Sequence, residues 1–199
     1  MEKILISGIP LSGKTTQANK LDSKLEHSKL INIESLLLNH KINHKSTNNN
    51  SSFTFYETLP KEFKTSLKRI LNEDYRESIS VNSTIYPINP YNRYYILDNL
   101  LFDLKDANFL LRNNLINKLI ILNLSEKELI KRWEFIQNFS SNFKLKYFSL
   151  YHKRRLSIFY NNTLPALEYL KKNKNISSLE IDASKKEDEI YKEIINFLN

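Results

Sequence analysis

Gly8, Ile9, Pro10, Leu11, Ser12, Gly13, Lys14 and Thr15 form the stretch on which the reading of this chain turns. They hold both glycines of a 199-residue protein. At the ordinary frequency of about 7% such a chain would carry roughly fourteen, so glycine has been kept only where backbone without a side chain is needed. The order G-x-x-x-x-G-K-[ST] is that of a phosphate-binding P-loop. Its flanks match: the apolar run Lys3 to Ser7 predicts a buried strand, and Thr15 to Leu25 predicts a helix with Ala18, Leu21 and Leu25 at helical spacing. A strand feeding a helix through such a loop aims backbone N–H groups and the helix N-terminus into one cup, an anion site before any side chain is counted. Lys14 adds an ammonium for the terminal phosphates of a nucleoside triphosphate. The Thr15 hydroxyl is the expected ligand of Mg²⁺ bridging those phosphates.

Composition narrows the class further. There is no cysteine, which removes thiolate chemistry, disulfides and Cys-type zinc sites. His40 and His44 are the only close histidine pair, and they sit in a polar stretch that reads as solvated rather than metal-binding. No window of about 20 apolar residues exists, and the first residues carry too short an apolar run for a signal peptide, so a cytoplasmic protein with no membrane partner is expected. The net charge of +8 suits a triphosphate and a second anion held together as well as it suits nucleic acid. The lysines are spread along the chain, and the Asn-, Lys- and Ile-rich composition is that of an AT-rich genome, so the charge is weak as a functional sign.

Four more apolar runs can pair with the first strand: Lys29 to Ile33, Tyr94 to Leu97, Leu119 to Leu124 and Ser178 to Ile181. Helical periodicity occupies Leu59 to Leu71, Asp103 to Leu115, Glu126 to Phe139, Lys153 to Lys172 and Lys186 to Leu198. Strands alternating with helices of this length predict an α/β fold, a five-stranded parallel sheet with helices on both faces. The chain reads as a single domain over 1–199, with residues 34–93 too long for a crossover helix and therefore an inserted helical subdomain. Asp98 closes the third strand, where a Walker-type site places the carboxylate that orients Mg²⁺. A switch GTPase is excluded, because no glycine follows Gly13 to build its D-x-x-G turn. Thymidylate kinases show Asp followed by Arg at strand three, whereas here Asn99 follows Asp98.

Gly13, Lys14, Thr15, Thr16, Gln17 and Ala18, followed by Leu21, resemble the opening of the adenylate kinase type of nucleoside monophosphate kinases. The resemblance continues in Tyr95 to Asp98 with Ala107, in Leu124 to Glu126 with Leu129 and Arg132, in Arg155 and Leu156 with Thr163 to Pro165, and in Ile181 and Asp182. It covers most of the chain except Leu36 to Arg93. It implies ATP as donor with Mg²⁺, a nucleoside monophosphate as acceptor, a short lid over 133–152 and a monomer. The donor phosphates would lie against Gly8, Pro10, Leu11, Ser12, Gly13, Lys14, Thr15 and Thr16, and Mg²⁺ against Thr15 and Asp98. Arg132 would stack on the donor base, and Lys14 and Arg155 would meet the transferred phosphoryl group, whose spread charge is what guanidinium groups stabilise.

The departures from that family concentrate in the acceptor site. The family's Thr-Gly-Asp-hydrophobic-Leu-Arg stretch is here Ile33, Glu34, Ser35, Leu36, Leu37 and Leu38, and its Asp-Gly-Phe-Pro-Arg is Asp98, Asn99, Leu100, Leu101 and Phe102. A lid arginine is replaced by Ile136, with Lys144 and Lys146 as point charges nearby and no acidic pair in 143–151. Each lost charge-assisted contact removes roughly 1.5 to 3 kcal/mol of binding. Arg69, Arg76, Arg93 and Arg112 are the available replacements. Three readings follow: a nucleoside monophosphate kinase; a catalytically impaired nucleotide-binding relative with a structural or regulatory role, with basic surfaces for nucleic acid or a larger assembly; and a small-molecule kinase with another acceptor.

Overall fold

A computed structural model of the protein describes residues 1–32, 92–98, 103–138 and 153–199. The predicted helix Leu59 to Leu71, the inserted subdomain except for its last two residues, and most of the lid lie outside them. Five strands form one parallel sheet: β1 (Glu2–Gly8), β2 (Ser28–Asn32), β3 (Tyr94–Asp98), β4 (Lys118–Asn123) and β5 (Ser177–Asp182). Their order is β2-β3-β1-β4-β5, so β1 is central and the chain reverses its direction of travel across the sheet there. In open parallel sheets that reversal opens a crevice at the carboxyl ends of the strands, where ligands sit. The register Ile6↔Asp98 and Gly8↔Leu122 brings the end of β1 level with the ends of β3 and β4.

Side chains alternate across the sheet, as the two-residue period of a strand requires. On one face Leu5, Leu97, Leu119 and Ile121 pack with Ala107 and Leu110 of α2 (Leu104–Arg112) and with Ala166, Leu167 and Leu170 of α4 (Leu164–Lys171), joined by Leu129 of α3 (Glu126–Asn138). On the other, Ile4, Ile6, Ile96, Ile120 and Leu122 pack with Ala18 and Leu21 of α1 (Lys14–Lys24) and with Ile190, Ile194 and Leu198 of α5 (Glu187–Leu198). Both faces are therefore covered, as a parallel sheet demands.

Local signals account for the helix ends. Asp103 caps α2 by accepting from Lys105 N at 2.8 Å and Asp106 N at 3.1 Å, so the helix starts one residue later than periodicity alone suggested. Glu187, Asp188 and Glu189 set negative charge in the first turn of α5, against the positive end of its dipole. The run expected as one helix from Lys153 to Lys172 is helical at 153–158, widens to a π turn at Phe159–Thr163, and resumes as α4. Pro165 is the cause: it has no N–H to give to the residue four back and its ring crowds that carbonyl. The widened turn, in which Leu164 N bonds to Phe159 O, absorbs the misfit.

One core group stands out. The Tyr95 hydroxyl on β3 is buried, the residue being only 1% exposed, and finds no hydrogen-bond partner among the described residues. A buried hydroxyl without a partner costs about 1 to 3 kcal/mol. Tyr95→Phe is accordingly expected to raise stability by about 1 kcal/mol, read as a higher urea midpoint at unchanged slope. A lower midpoint would show that the hydroxyl is satisfied in solution.

Candidate nucleotide site

The loop between β1 and α1 is built from three positive-φ joints. Gly8 sits at φ +143°, where a Cβ would come to 2.1 Å from the Leu122 carbonyl oxygen. The requirement there is space, because β1 is pressed against the backbone of β4. Gly13, at φ +86°, has nothing within 4 Å of a would-be Cβ, so its requirement is the left-handed turn that opens α1. Between them Leu11 adopts φ +68° with a full side chain. That conformation costs an L-residue about 1 to 2 kcal/mol and clusters at functional sites. Ser12 N closes the turn onto Ile9 O at 3.2 Å. Ser12 Oγ, itself buried, finds no hydrogen-bond partner among the described residues.

Lys14, the first residue of α1, folds back over the loop and donates from Nζ to Gly8 O at 3.0 Å and Ile9 O at 2.9 Å. Burial pushes its ammonium down to about 8; the positive charge of Arg155 acts in the same direction, and the Asp98 carboxylate opposes both. Arg155, which the family resemblance puts at the transferred phosphoryl group, is thus near enough to Lys14 to repel it. Two cations that repel one another beside a turn of backbone amides make a hole for an anion. Of the run Lys153, Arg154 and Arg155, the first two are exposed and only Arg155 is partly covered.

Asp98 ends β3 completely buried, and the Thr15 hydroxyl donates to its Oδ2 at 2.9 Å. A buried carboxylate and a hydroxyl in contact, both hard oxygen donors at the mouth of the loop, fit Mg²⁺, which binds through one or two protein oxygens and completes its shell with water and phosphate. No group of three or more His, Asp or Glu suited to a metal occurs among the described residues.

Arg132 reaches from α3 to two backbone carbonyls. Nη1 donates to Leu11 O at 2.9 Å and Nη2 to Ala183 O just after β5, while Nε lies 3.8 Å from Glu128 Oε1. The contact could not be read from the sequence, because its two acceptors are main-chain atoms far away along the chain. A groove of about 500 Å³ runs beside the loop, lined by Leu11, Glu128, Lys131, Arg132, Phe135 and Ile136. Gln17 is buried and donates to Glu187 O at 3.0 Å, tying α1 to α5. The remaining loop positions, Pro10 and Thr16, frame the turn and the first turn of α1. Thr16 is exposed.

Two of the four arginines considered as acceptor replacements can be placed, and both lie away from the site. Arg93 precedes β3: its N–H bonds to His27 O and its carbonyl accepts from Glu2 N, at the amino ends of the strands. Arg112 ends α2, which returns to that same end, where the Asn114 carbonyl accepts from Lys3 Nζ at 2.8 Å. Parallel strands put the phosphate loop at the opposite edge, so neither guanidinium reaches the Lys14 and Asp98 cleft. Arg69 and Arg76 fall outside the described residues, as do Leu36 to Leu38, Asn99 to Phe102, Lys144 and Lys146. Ile136 continues α3 beside the groove, so the first part of the expected 133–152 lid is the end of that helix.

No family model and no curated protein sequence matches this chain. Among solved structures it is similar to a sugar kinase from Janibacter sp., with a TM-score of 0.53 at 11% identity over 100% of this chain and 94% of the other. It is also similar to a gluconokinase from Sinorhizobium meliloti, with a TM-score of 0.54 at 13% identity over 99% of this chain and 91% of the other. At such identities the likeness establishes the fold: an α/β parallel sheet of the kind found in these P-loop kinases. No helix among the described residues is long and apolar enough to cross a membrane.

Proposed function

We propose that this protein transfers a phosphoryl group from Mg²⁺-ATP to a nucleoside monophosphate. The observation that carries the proposal is the meeting of Lys14, Arg155, Thr15 and Asp98 at one loop, drawn from three separate segments of the sequence. Two cations would stabilise the charge that spreads over the phosphoryl oxygens in the transition state. Thr15 and Asp98 would hold Mg²⁺, which when bound neutralises charge on the donor phosphates. The loop amides from Gly8 to Thr16 would fix the polyphosphate, with Lys14 exchanging its two carbonyl partners for phosphate oxygens. The groove beside Leu11 and Arg132 would take the donor's nucleoside; its volume is in the range of small-molecule sites. The nucleotide acceptor rests on the family resemblance, as does the expectation of a monomer.

A second reading is favoured by specific observations. Positions that hold a monophosphate in the resembled family carry Leu38 and Phe102, and Arg93 and Arg112 are at the wrong edge of the sheet. The structural neighbours named above act on sugars. A small polyhydroxylated acceptor would need hydrogen bonds rather than guanidinium clamps.

One experiment separates the readings. Mg²⁺-ATP is incubated with a panel of nucleoside monophosphates and a panel of sugars and sugar acids, using the native chain and Lys14→Ala. Turnover on a monophosphate that disappears with Lys14→Ala is the expected result. Turnover confined to a sugar replaces it with the second reading, and tight nucleotide binding with no turnover on either panel would mark a binding protein that has lost transfer. Absence of any nucleotide binding would overturn the whole assignment.

A further inference from the structure

We infer that Arg132 is a positioning residue for the phosphate loop itself: from α3 it clips the left-handed turn at Leu11 to the end of β5 at Ala183, and so sets the shape of the cup before a nucleotide arrives. The inference rests on the loop being a polyphosphate site, yet it concerns a contact different from the stacking on a donor base that the family resemblance implies.

The argument begins with what the loop lacks. Within six residues it has three positive-φ joints, Gly8, Leu11 and Gly13. Glycine permits such conformations without enforcing them, and a leucine there is strained. Left to itself, this turn has every reason to relax toward ordinary backbone at Leu11. Something outside the loop has to select the strained form. Arg132 holds the Leu11 carbonyl at 2.9 Å, and that carbonyl belongs to the peptide unit immediately following the strained joint. The other arm of the same guanidinium is bonded to Ala183 O, and Ala183 is itself fully buried and linked through its N–H to Asn123 O at 2.7 Å. The clip is therefore anchored to the sheet at β4 and β5. Glu128, one turn earlier on α3, lies beside Nε and orients the fork. The Leu11 side chain completes the arrangement by packing against the apolar core next to α3.

The chemistry calls for arginine. A planar fork can satisfy two carbonyls of fixed separation at once, whereas an ammonium is a single point of charge on a flexible stem. Because the clip binds carbonyls, it also turns the carbonyl at Leu11 away from any anion in the cup, leaving the amides of the turn to face it.

The test uses the full chain with Arg132→Ala, Arg132→Lys, Leu11→Gly and the double variant Leu11→Gly/Arg132→Ala. Two quantities are read: hydrogen exchange of the Ser12 and Gly13 amides in ligand-free protein, with β4 amides as the control for an intact fold, and affinity for Mg²⁺ tripolyphosphate, which has no base to stack. Arg132→Ala is expected to speed exchange at Ser12 and Gly13 alone and to weaken tripolyphosphate binding by about tenfold or more. Arg132→Lys should recover little. In the Leu11→Gly background the same Arg132→Ala change should cost less than about threefold, because glycine accepts the turn without help.

Three results would overturn the proposal: unchanged loop exchange in Arg132→Ala, an affinity loss seen with ATP but not with tripolyphosphate, or the same loss in both Leu11 and Leu11→Gly backgrounds. Should the native chain bind neither ATP nor tripolyphosphate, the polyphosphate reading falls by itself. The exchange of Ser12 and Gly13 still decides whether Arg132 shapes the loop.

Discussion

Lys14→Met is expected to leave a folded protein that is more stable than the native chain near pH 7 and nearly inert in phosphoryl transfer. The stability effect follows from where the ammonium sits. The unfolded chain holds the Lys14 proton up to its ordinary value of 10.5, whereas the folded, ligand-free chain releases it near 8. Between these values the unfolded state binds more protons, so native stability rises with pH through that window and is lowest below it. At neutral pH the charged side chain is therefore a burden on the empty fold. Removing it should raise stability by about 2 kcal/mol, after allowing for partial exposure and for the loss of the bonds to Gly8 O and Ile9 O. The same substitution should lower turnover by about 10³-fold, the range seen when one donor to a developing negative charge is removed.

Chemical denaturation from pH 6 to 10 checks the first part. The native chain should gain stability above pH 8, while Lys14→Met should lack that rise. Nucleotide affinity should run the other way: phosphate favours the ammonium, so binding by the native chain is strongest below pH 8 and weakens above it. A native chain whose stability is flat from pH 8 to 10 would show that Lys14 is solvated and that the cup is open in solution.

Gly8→Ala should be the most damaging single-methyl change in the described part of the molecule. The added Cβ would meet the Leu122 carbonyl oxygen at 2.1 Å and the Leu122 nitrogen at 2.9 Å, and neither is the end of a flexible side chain. Relief requires β1 and β4 to part at the register Gly8↔Leu122, in the middle of the sheet. The φ of +143° adds strain that no rearrangement of neighbours removes. A loss of more than about 3 kcal/mol is expected, in the class of core overpacking with backbone strain. Gly13→Ala provides the contrast: with open space around it, only the left-handed turn is penalised, by about 1 to 2 kcal/mol. Urea unfolding of the two variants should rank them in that order; equal losses would mean that β1 does not approach β4 as closely as the pairing indicates.

Much of the fold was legible because its signals are local. Apolar runs gave all five strands to within a residue or two, and periodicity gave the helices flanking them. The small errors have identifiable causes. The run read as β2 reached Ile33, which lies outside the described residues; within them the strand is Ser28–Asn32, paired with β3 as far as Asp98. The helix from Lys153 was expected unbroken, although Pro165 inside an apolar-periodic run was a readable sign of the π turn. Strand order was not legible, since nothing in Tyr94 to Leu97 says that it inserts between β1 and β2. Within the site, Thr15 and Asp98 were expected together and are bonded, because the motif supplies one and the strand end the other. The Arg132 clip was invisible, since side-chain-to-backbone contacts across the fold leave no mark in residue type. The replacements sought in Arg93 and Arg112 lie at the far edge of the sheet for topological reasons: Arg93 precedes β3 at the amino ends of the strands, and helix α2 carries Arg112 back to that same edge.

The central position of β1 bears on how the molecule is made. Glu2 to Gly8 precede both of their partners along the chain and cannot complete either edge of their hydrogen bonding until Tyr94 to Asp98 and then Lys118 to Leu122 have been synthesised. A nascent chain thus carries an exposed, strongly apolar ribbon through much of translation, a state prone to capture by other chains. Chaperone dependence during synthesis should consequently end only when β4 has cleared the exit tunnel.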